Sequence, residues 1–95
     1  MDTSSDFDIS DYLDSDEMIA EFLTAAMEDE DPEAFIAALG HVAKAKGMSA
    51  IANETGLGRE SLYKALKAGS KLRYETVLKV ASALGVRLTV TPKAA

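Results

Sequence analysis

Between about residues 18 and 84 the hydrophobic positions recur every three or four places, and past Gly85 they recur at every second one. The first period is that of a helix face and the second that of a strand, so the chain reads as a run of helices closed by one short extended element. Met18, Ile19, Phe22, Leu23, Ala26 and Met27 make the first stripe, over about 15–29. Ser15 is its N-cap, and Asp16 and Glu17 suit the positive end of its dipole. Phe35, Ile36, Leu39, Val42 and Ala43 make the second stripe; Asp31 followed by Pro32 starts that helix and Gly47 stops it after Lys46. Three shorter helices follow, over 48–55, about 59–67 and about 74–84, punctuated by Gly56, Gly58, Gly69 and Gly85. Then Val86, Leu88 and Val90 alternate with Arg87, Thr89 and Thr91 until Pro92. The expected fold is all-α, five helices with a short C-terminal β-strand at 86–91.

A lone strand leaves its backbone donors and acceptors without a ladder. Pairing with the same strand of a second copy, through Val86, Leu88 and Val90, meets that need and predicts a homodimer. Docking of the segment on a helix of its own chain, without pairing, is the alternative.

Charge divides the chain in two. All 10 basic residues lie between Lys44 and Lys93, and 13 of the 16 acidic ones lie between Asp2 and Glu33, so a net charge of -6 hides halves of -13 and +7. A basic half is the footprint of phosphate, and an acidic half calls for a cationic partner. Residues 1–14, rich in Asp and with Phe7, Ile9, Tyr12 and Leu13 as their anchors, are expected to form an acidic, mobile N-terminal segment ahead of one helical domain at 15–95. The 95 residues contain no cysteine, which excludes disulfides and thiolate metal sites. The acidic start lacks the features of a signal peptide, and no apolar run approaches the roughly 20 residues of a membrane span. A soluble, cytoplasmic protein is expected, nucleoid-associated when bound to DNA, with no membrane partner.

Ile51, Ala52, Thr55, Gly56, Leu57, Leu62 and Leu66 have the spacing of a helix-turn-helix over 48–67. Ala52 is small where the helices cross, Gly56 supplies the positive φ of the turn, and Leu57 and Leu62 fill the space beneath. With these residues in place, the segment GMSAIANETGLGRESLYKALKAGSKLRYETVLKVASALGVRLTVTP resembles Xre-type helix-turn-helix proteins, specifically the addiction-module antidote family. The preceding YLDSDEMIAEFLTAAMEDEDPEAFIAALGHVAKAKG resembles the N-terminal portion of the same family, so the resemblance covers about residues 12 to 92. It implies an Xre-like fold and an antitoxin that binds a small basic toxin similar to the RelE/ParE type and, as a dimer, represses its own promoter.

Read from the residues, the helix at 59–67 turns Leu62, Ala65 and Leu66 inward and presents Arg59, Glu60, Ser61, Tyr63, Lys64 and Lys67. In a helix-turn-helix the N-terminal part of this helix enters the major groove. Arg59 suits a bidentate contact to guanine; Glu60 suits cytosine or the orientation of Arg59; Ser61 and Tyr63 suit bases or phosphates. Tyr63 also has the alternative of capping the core with its ring. Lys64, Lys67 and Lys71 suit phosphate, and Ser49 at the start of the preceding helix joins this DNA-binding set. Two positions depart from the family pattern. Met48 stands where many Xre-type domains carry a DNA-touching Gln, and Gly58 stands where Ser commonly caps the recognition helix.

Other residues carry less chemistry. His41 has no second His, Cys or Ser partner at a recognised spacing, and a structural or surface role is expected. The acids from Glu28 to Asp31 repel one another, as a turn or docking face does, so no metal site is expected. Met18, Glu21, Phe22, Glu28 and Asp29 are the candidate toxin-binding residues, although the apolar ones among them also suit the core. No catalytic constellation and no cofactor motif is present. Two rivals to the antitoxin reading stay open: a free-standing phage-type repressor, and a protein-interaction module that does not bind DNA.

Overall fold

The computed structural model describes residues 13–67 and 69–94. Among them are five helices, α1 (Asp16–Met27), α2 (Glu33–Lys46), α3 (Met48–Thr55), α4 (Arg59–Ala65) and α5 (Tyr74–Ala83). The all-α class and the number of helices agree with the expectation from periodicity.

Local chemistry sets the boundaries. The Ser15 hydroxyl accepts the Met18 N–H at 3.1 Å, which satisfies one of the donors that the first turn of α1 leaves open. This helix ends two residues before the expected position. The Glu28 N–H reaches back to the carbonyls of Thr24 and Ala25, both at 3.2 Å, and tightens the last turn. The acidic run then builds the turn itself: the Asp29 carboxylate accepts the Asp31 N–H at 2.8 Å, and that of Asp31 accepts the Glu33 N–H at 3.0 Å. Short acidic side chains make such turns because they reach the backbone two residues ahead.

Between α2 and α3 a single residue ends one helix and begins the next. The Gly47 N–H donates to the Ala43 carbonyl at 2.9 Å, while its own carbonyl accepts the Ile51 N–H at 3.1 Å. Its φ of 109° lies where residues with a β-carbon are strained.

The helix α3 packs against α2, α4 and α5, and α1 covers α2. The core draws Ile19 and Leu23 from α1, Leu39 and Val42 from α2, Ile51 and Ala52 from α3, then Leu62, Leu66, Val80 and Leu84. Leu13, ahead of α1, is also buried there. Residues 1–12, to which most of the expected acidic segment belongs, lie outside the described residues. At Gly40 in α2 an added β-carbon would stand 3.2 Å from the Leu66 carbonyl oxygen, so the absence of a side chain lets the end of α4 approach α2.

The turn between α3 and α4 is held by one buried hydroxyl. Thr55 Oγ1 donates to the Ile51 carbonyl at 2.8 Å and accepts the Leu57 N–H at 3.3 Å. Gly56 follows with φ 78° and ψ 5°, the left-handed conformation that turns the chain. The end of α4 comes two residues before the expected one, because Ser70 offers its carbonyls another partner: the Ser70 hydroxyl donates to the Ala65 carbonyl at 2.6 Å.

The strand expected at 86–91 does not form among the described residues. Its first residue is used elsewhere. The Val86 N–H donates to the Ala81 carbonyl at 3.0 Å and, with the Gly85 N–H on the Ser82 carbonyl, closes α5, while the Val86 side chain packs against the core. Beyond it no neighbouring strand is found among the described residues, and a ladder cannot exist without one. Leu88 is half-buried and Val90 is 98% exposed.

Two stability measurements follow. Leu39→Ala empties a fully buried site and is expected to cost about 3 kcal/mol in urea unfolding, with an unchanged m-value. Thr55→Val keeps the volume but leaves the Leu57 N–H without its acceptor, at an expected cost of about 1–2 kcal/mol by the same measurement.

Candidate functional site

Helix α4 is seven residues long, too short to persist alone in water. Leu62, fully buried, and Leu66 fix it to the core, and this choice of inward residues determines what faces outward. Arg59, Glu60, Ser61, Tyr63 and Lys64 are all exposed along α4. Lys67 and Lys71 are exposed just beyond it, and Ser49 is exposed in the first turn of α3. The residues singled out from the sequence for DNA therefore share the solvent side of the α3–turn–α4 unit and its following turn.

Arg59 and Tyr63 are one helical turn apart, and the Arg59 guanidinium lies 5.5 Å from the centroid of the Tyr63 ring. A cation over an aromatic face is attracted by the ring quadrupole, at about 0.5–1 kcal/mol on an exposed surface. The contact restricts Arg59 without occupying its donors. Tyr63 is 42% exposed, with one part of the residue open to solvent beside Arg59 and the rest covered.

Beside α4 runs a groove of about 450 Å³ that the sequence did not announce. Its floor is Ala37, Gly40 and Met48 with Leu66, and Tyr63 forms one wall. His41 and Lys44 from α2, with Lys64 and Lys67 from the α4 side, stand around it. The signal available in the sequence was the spacing of Ala37, Gly40, His41 and Lys44, which puts them together on the face of α2 away from its apolar stripe. His41 thus has a surface position.

Among the described residues the ion pairs are Lys46 with Asp16 at 3.8 Å and Arg73 with Glu75 at 3.7 Å. Lys44, Lys64 and Lys67 have no carboxylate partner within that set. One acid does reach across. Glu33, at the start of α2, accepts the Gly69 N–H at 2.6 Å and ties the turn after α4 to the beginning of α2.

The acidic side is arranged differently. On α1, Ile19 and Leu23 are in the core, Met18 and Phe22 are half-buried and Glu21 is exposed, as are Glu28 and Asp29 just after it. Phe22 packs partly against the core, and Met27 is 51% exposed. Among the described residues no three His, Asp or Glu side chains gather in a way that could hold a metal ion, and no helix is long and apolar enough to cross a membrane.

Comparison with known proteins gives the family of the chain. An uncharacterised protein of Haemophilus influenzae, strain Rd, is 39% identical over 85 residues, which cover 90% of this chain and 88% of that protein. No solved structure matches. Residues 3–92 match the model of the family described as "Probable addiction module antidote protein", and the chain belongs to that family of antidotes.

Proposed function

We propose that the protein is the antitoxin of a type II toxin-antitoxin module that binds operator DNA through α3, the turn and α4, and neutralises a basic RelE/ParE-like toxin through its acidic N-terminal half. The observation that carries the DNA part is the outward row of α4, where Arg59 is supported by Tyr63 and flanked by Lys64, with no described carboxylate partner for any lysine of that row. The α3–turn–α4 unit is read as an Xre-type helix-turn-helix, with α4 as the helix that enters the major groove. Arg59 reads a guanine edge through its two-pronged donor face, while Lys64, Lys67, Lys71 and Ser49 hold phosphates and set the register. Glu60 and Ser61 contribute at the same edge, to a cytosine amino group and a phosphate or base.

A second copy completes the operator-binding unit. Leu88 and Val90 lie on a segment whose backbone has no ladder among the described residues, and pairing of 87–91 between two copies satisfies it. Val86, committed to closing α5, then flanks that interface. Two recognition helices related by a two-fold axis match half-sites about 34 Å apart, one turn of the duplex.

The toxin part rests on family membership and on charge. A protein that grips RNA presents a basic surface, and an acidic partner steers towards it and covers the charges RNA would use. Glu21, Glu28 and Asp29 supply exposed charge on or just after α1, with half-buried Met18 and Phe22 beside them as the apolar anchors.

Fluorescence anisotropy of the full chain on its own promoter across a salt series tests the DNA reading. Arg59→Ala is expected to weaken the specific complex by about 1–3 kcal/mol and to relax the preference at one base position. Lys64→Ala is expected to weaken all sequences alike and to reduce the slope of log K against log salt by about one. Absence of a promoter-specific complex at low salt sinks this part and favours a protein-interaction module. Co-expression with the reading frame adjacent to the gene tests the other part: the two chains are expected to co-purify, and Glu28→Lys with Asp29→Lys is expected to slow their association several-fold.

A further inference from the structure

The groove between α2 and α4 carries cationic side chains on both walls. Lys44 and His41 stand on the α2 side, and Lys64 and Lys67 face them from α4 and the turn after it. No carboxylate is among the described residues that line it. Lys46, two places after Lys44, is different: it pairs with Asp16 at 3.8 Å and does not line the groove. Both lysines stand in the last turn of α2, where a cation suits the negative end of the helix dipole. The dipole accounts for both of them, but not for the exposed position of Lys44 across from Lys64 and Lys67.

The lining between these cations is apolar. Ala37, Gly40, Met48 and Leu66 form the floor, and Tyr63 stands at one side. A strand of DNA matches both properties, because each phosphate is joined to a sugar whose C–H face needs no hydrogen-bond partner. The phosphate takes the lysines and the adjoining deoxyribose covers the floor. We propose that the α2–α4 groove holds one strand of the operator backbone, with Lys44 and His41 of α2 as phosphate contacts additional to those of α4. This rests on the DNA reading above and extends the contact surface to a second helix.

Continuity and charge both fix the path of the strand. Tyr63 and Lys64 belong to the groove and to the outward row that begins at Arg59, so a duplex read by α4 has its backbone at the groove. Glu33 lies on the same face of α2, one turn before Ala37, and its carboxylate accepts the Gly69 N–H at 2.6 Å. A phosphate is repelled from that end. The strand therefore crosses the groove at the Lys44 end, where exposed Ser49 follows Met48 of the floor. Contacts from two helices to one strand hold the register of α4 without reading any base.

Methylphosphonate substitution tests this on the full chain, since it removes the charge of one promoter phosphate at a time. Wild-type protein is expected to lose affinity several-fold at one phosphate where Lys44→Ala loses none, and Lys79→Ala, on α5, is expected to keep the full loss there. His41→Ala is expected to lose sensitivity at that phosphate or the next. In anisotropy across a salt series, Lys44→Ala is expected to reduce the slope by about one with base preference unchanged. The amide signals of Gly40 and Lys44 are expected to shift with those of Tyr63 and Lys64 when promoter duplex is added. Equal losses for wild type and Lys44→Ala at every phosphate overturn the proposal, because Lys44 then acts through packing or its distant field. A wild-type slope in Lys44→Ala, or fixed Gly40 and Lys44 signals while those of α4 move, overturns it and leaves the α4 reading intact. The groove then belongs to a different amphipathic anion. Absence of any promoter complex overturns both readings together.

Discussion

An eight-residue helix in water gains too few hydrogen bonds to offset the cost of nucleating it, and a seven-residue one does worse. The candidate DNA-binding unit of this protein is made of two such helices, α3 and α4. Their existence depends on burial of α3, which presents Met48, Ile51, Ala52 and Thr55 to a core shared with α2, α4 and α5. Once α3 is fixed, Thr55 and Gly56 define how the chain leaves it, Leu57 and Leu62 define how α4 returns to the core, and only then does Arg59 acquire a direction. The surface row on α4 is thus a product of the interior.

How far this could be read from the residues depended on range. The bounds of α3 were legible because Gly47 and Gly56 stand immediately at its two ends, and both take a positive φ that few other residues tolerate. The inward and outward sides of α4 were legible for a similar reason, since a short amphipathic helix allows one assignment of Leu62 and Leu66. Its length was less so. The hydrogen bond from Ser70 to the Ala65 carbonyl competes with continuation of the helix, and periodicity does not register such a competitor. Val86 shows the same limit: alternation placed it in a strand, whereas its N–H closes the preceding helix. Of the groove only the α2 face was legible, through the spacing of Ala37, Gly40, His41 and Lys44; the groove itself joins residues 37–48 to 63–67 and exists only after the helices pack.

The two oppositely charged halves are not mechanically separate. Asp29 and Asp31 spend their carboxylates on the turn before α2, and Glu33 extends from that turn to the Gly69 N–H after α4. The acidic half therefore anchors the end of the unit that presents the basic residues. A load applied to the α1–α2 turn by a bound protein has a direct path to the turn carrying Lys67 and Lys71. Coupling of this kind needs no change in α4 itself, only a displacement of its C-terminal turn relative to α2.

Gly40 gives the architecture a further consequence. Because α2 offers no side chain there, the Leu66 carbonyl can settle close to its backbone, and the tilt of α4 is set by a contact involving a single hydrogen atom. Position 40 is in effect the pivot of a lever whose long arm ends at Arg59. A larger residue at this pivot would present the outward residues of α4 at a different inclination. The direction in which Arg59 points is then set from α2, by a half-buried residue that lies outside α4 altogether.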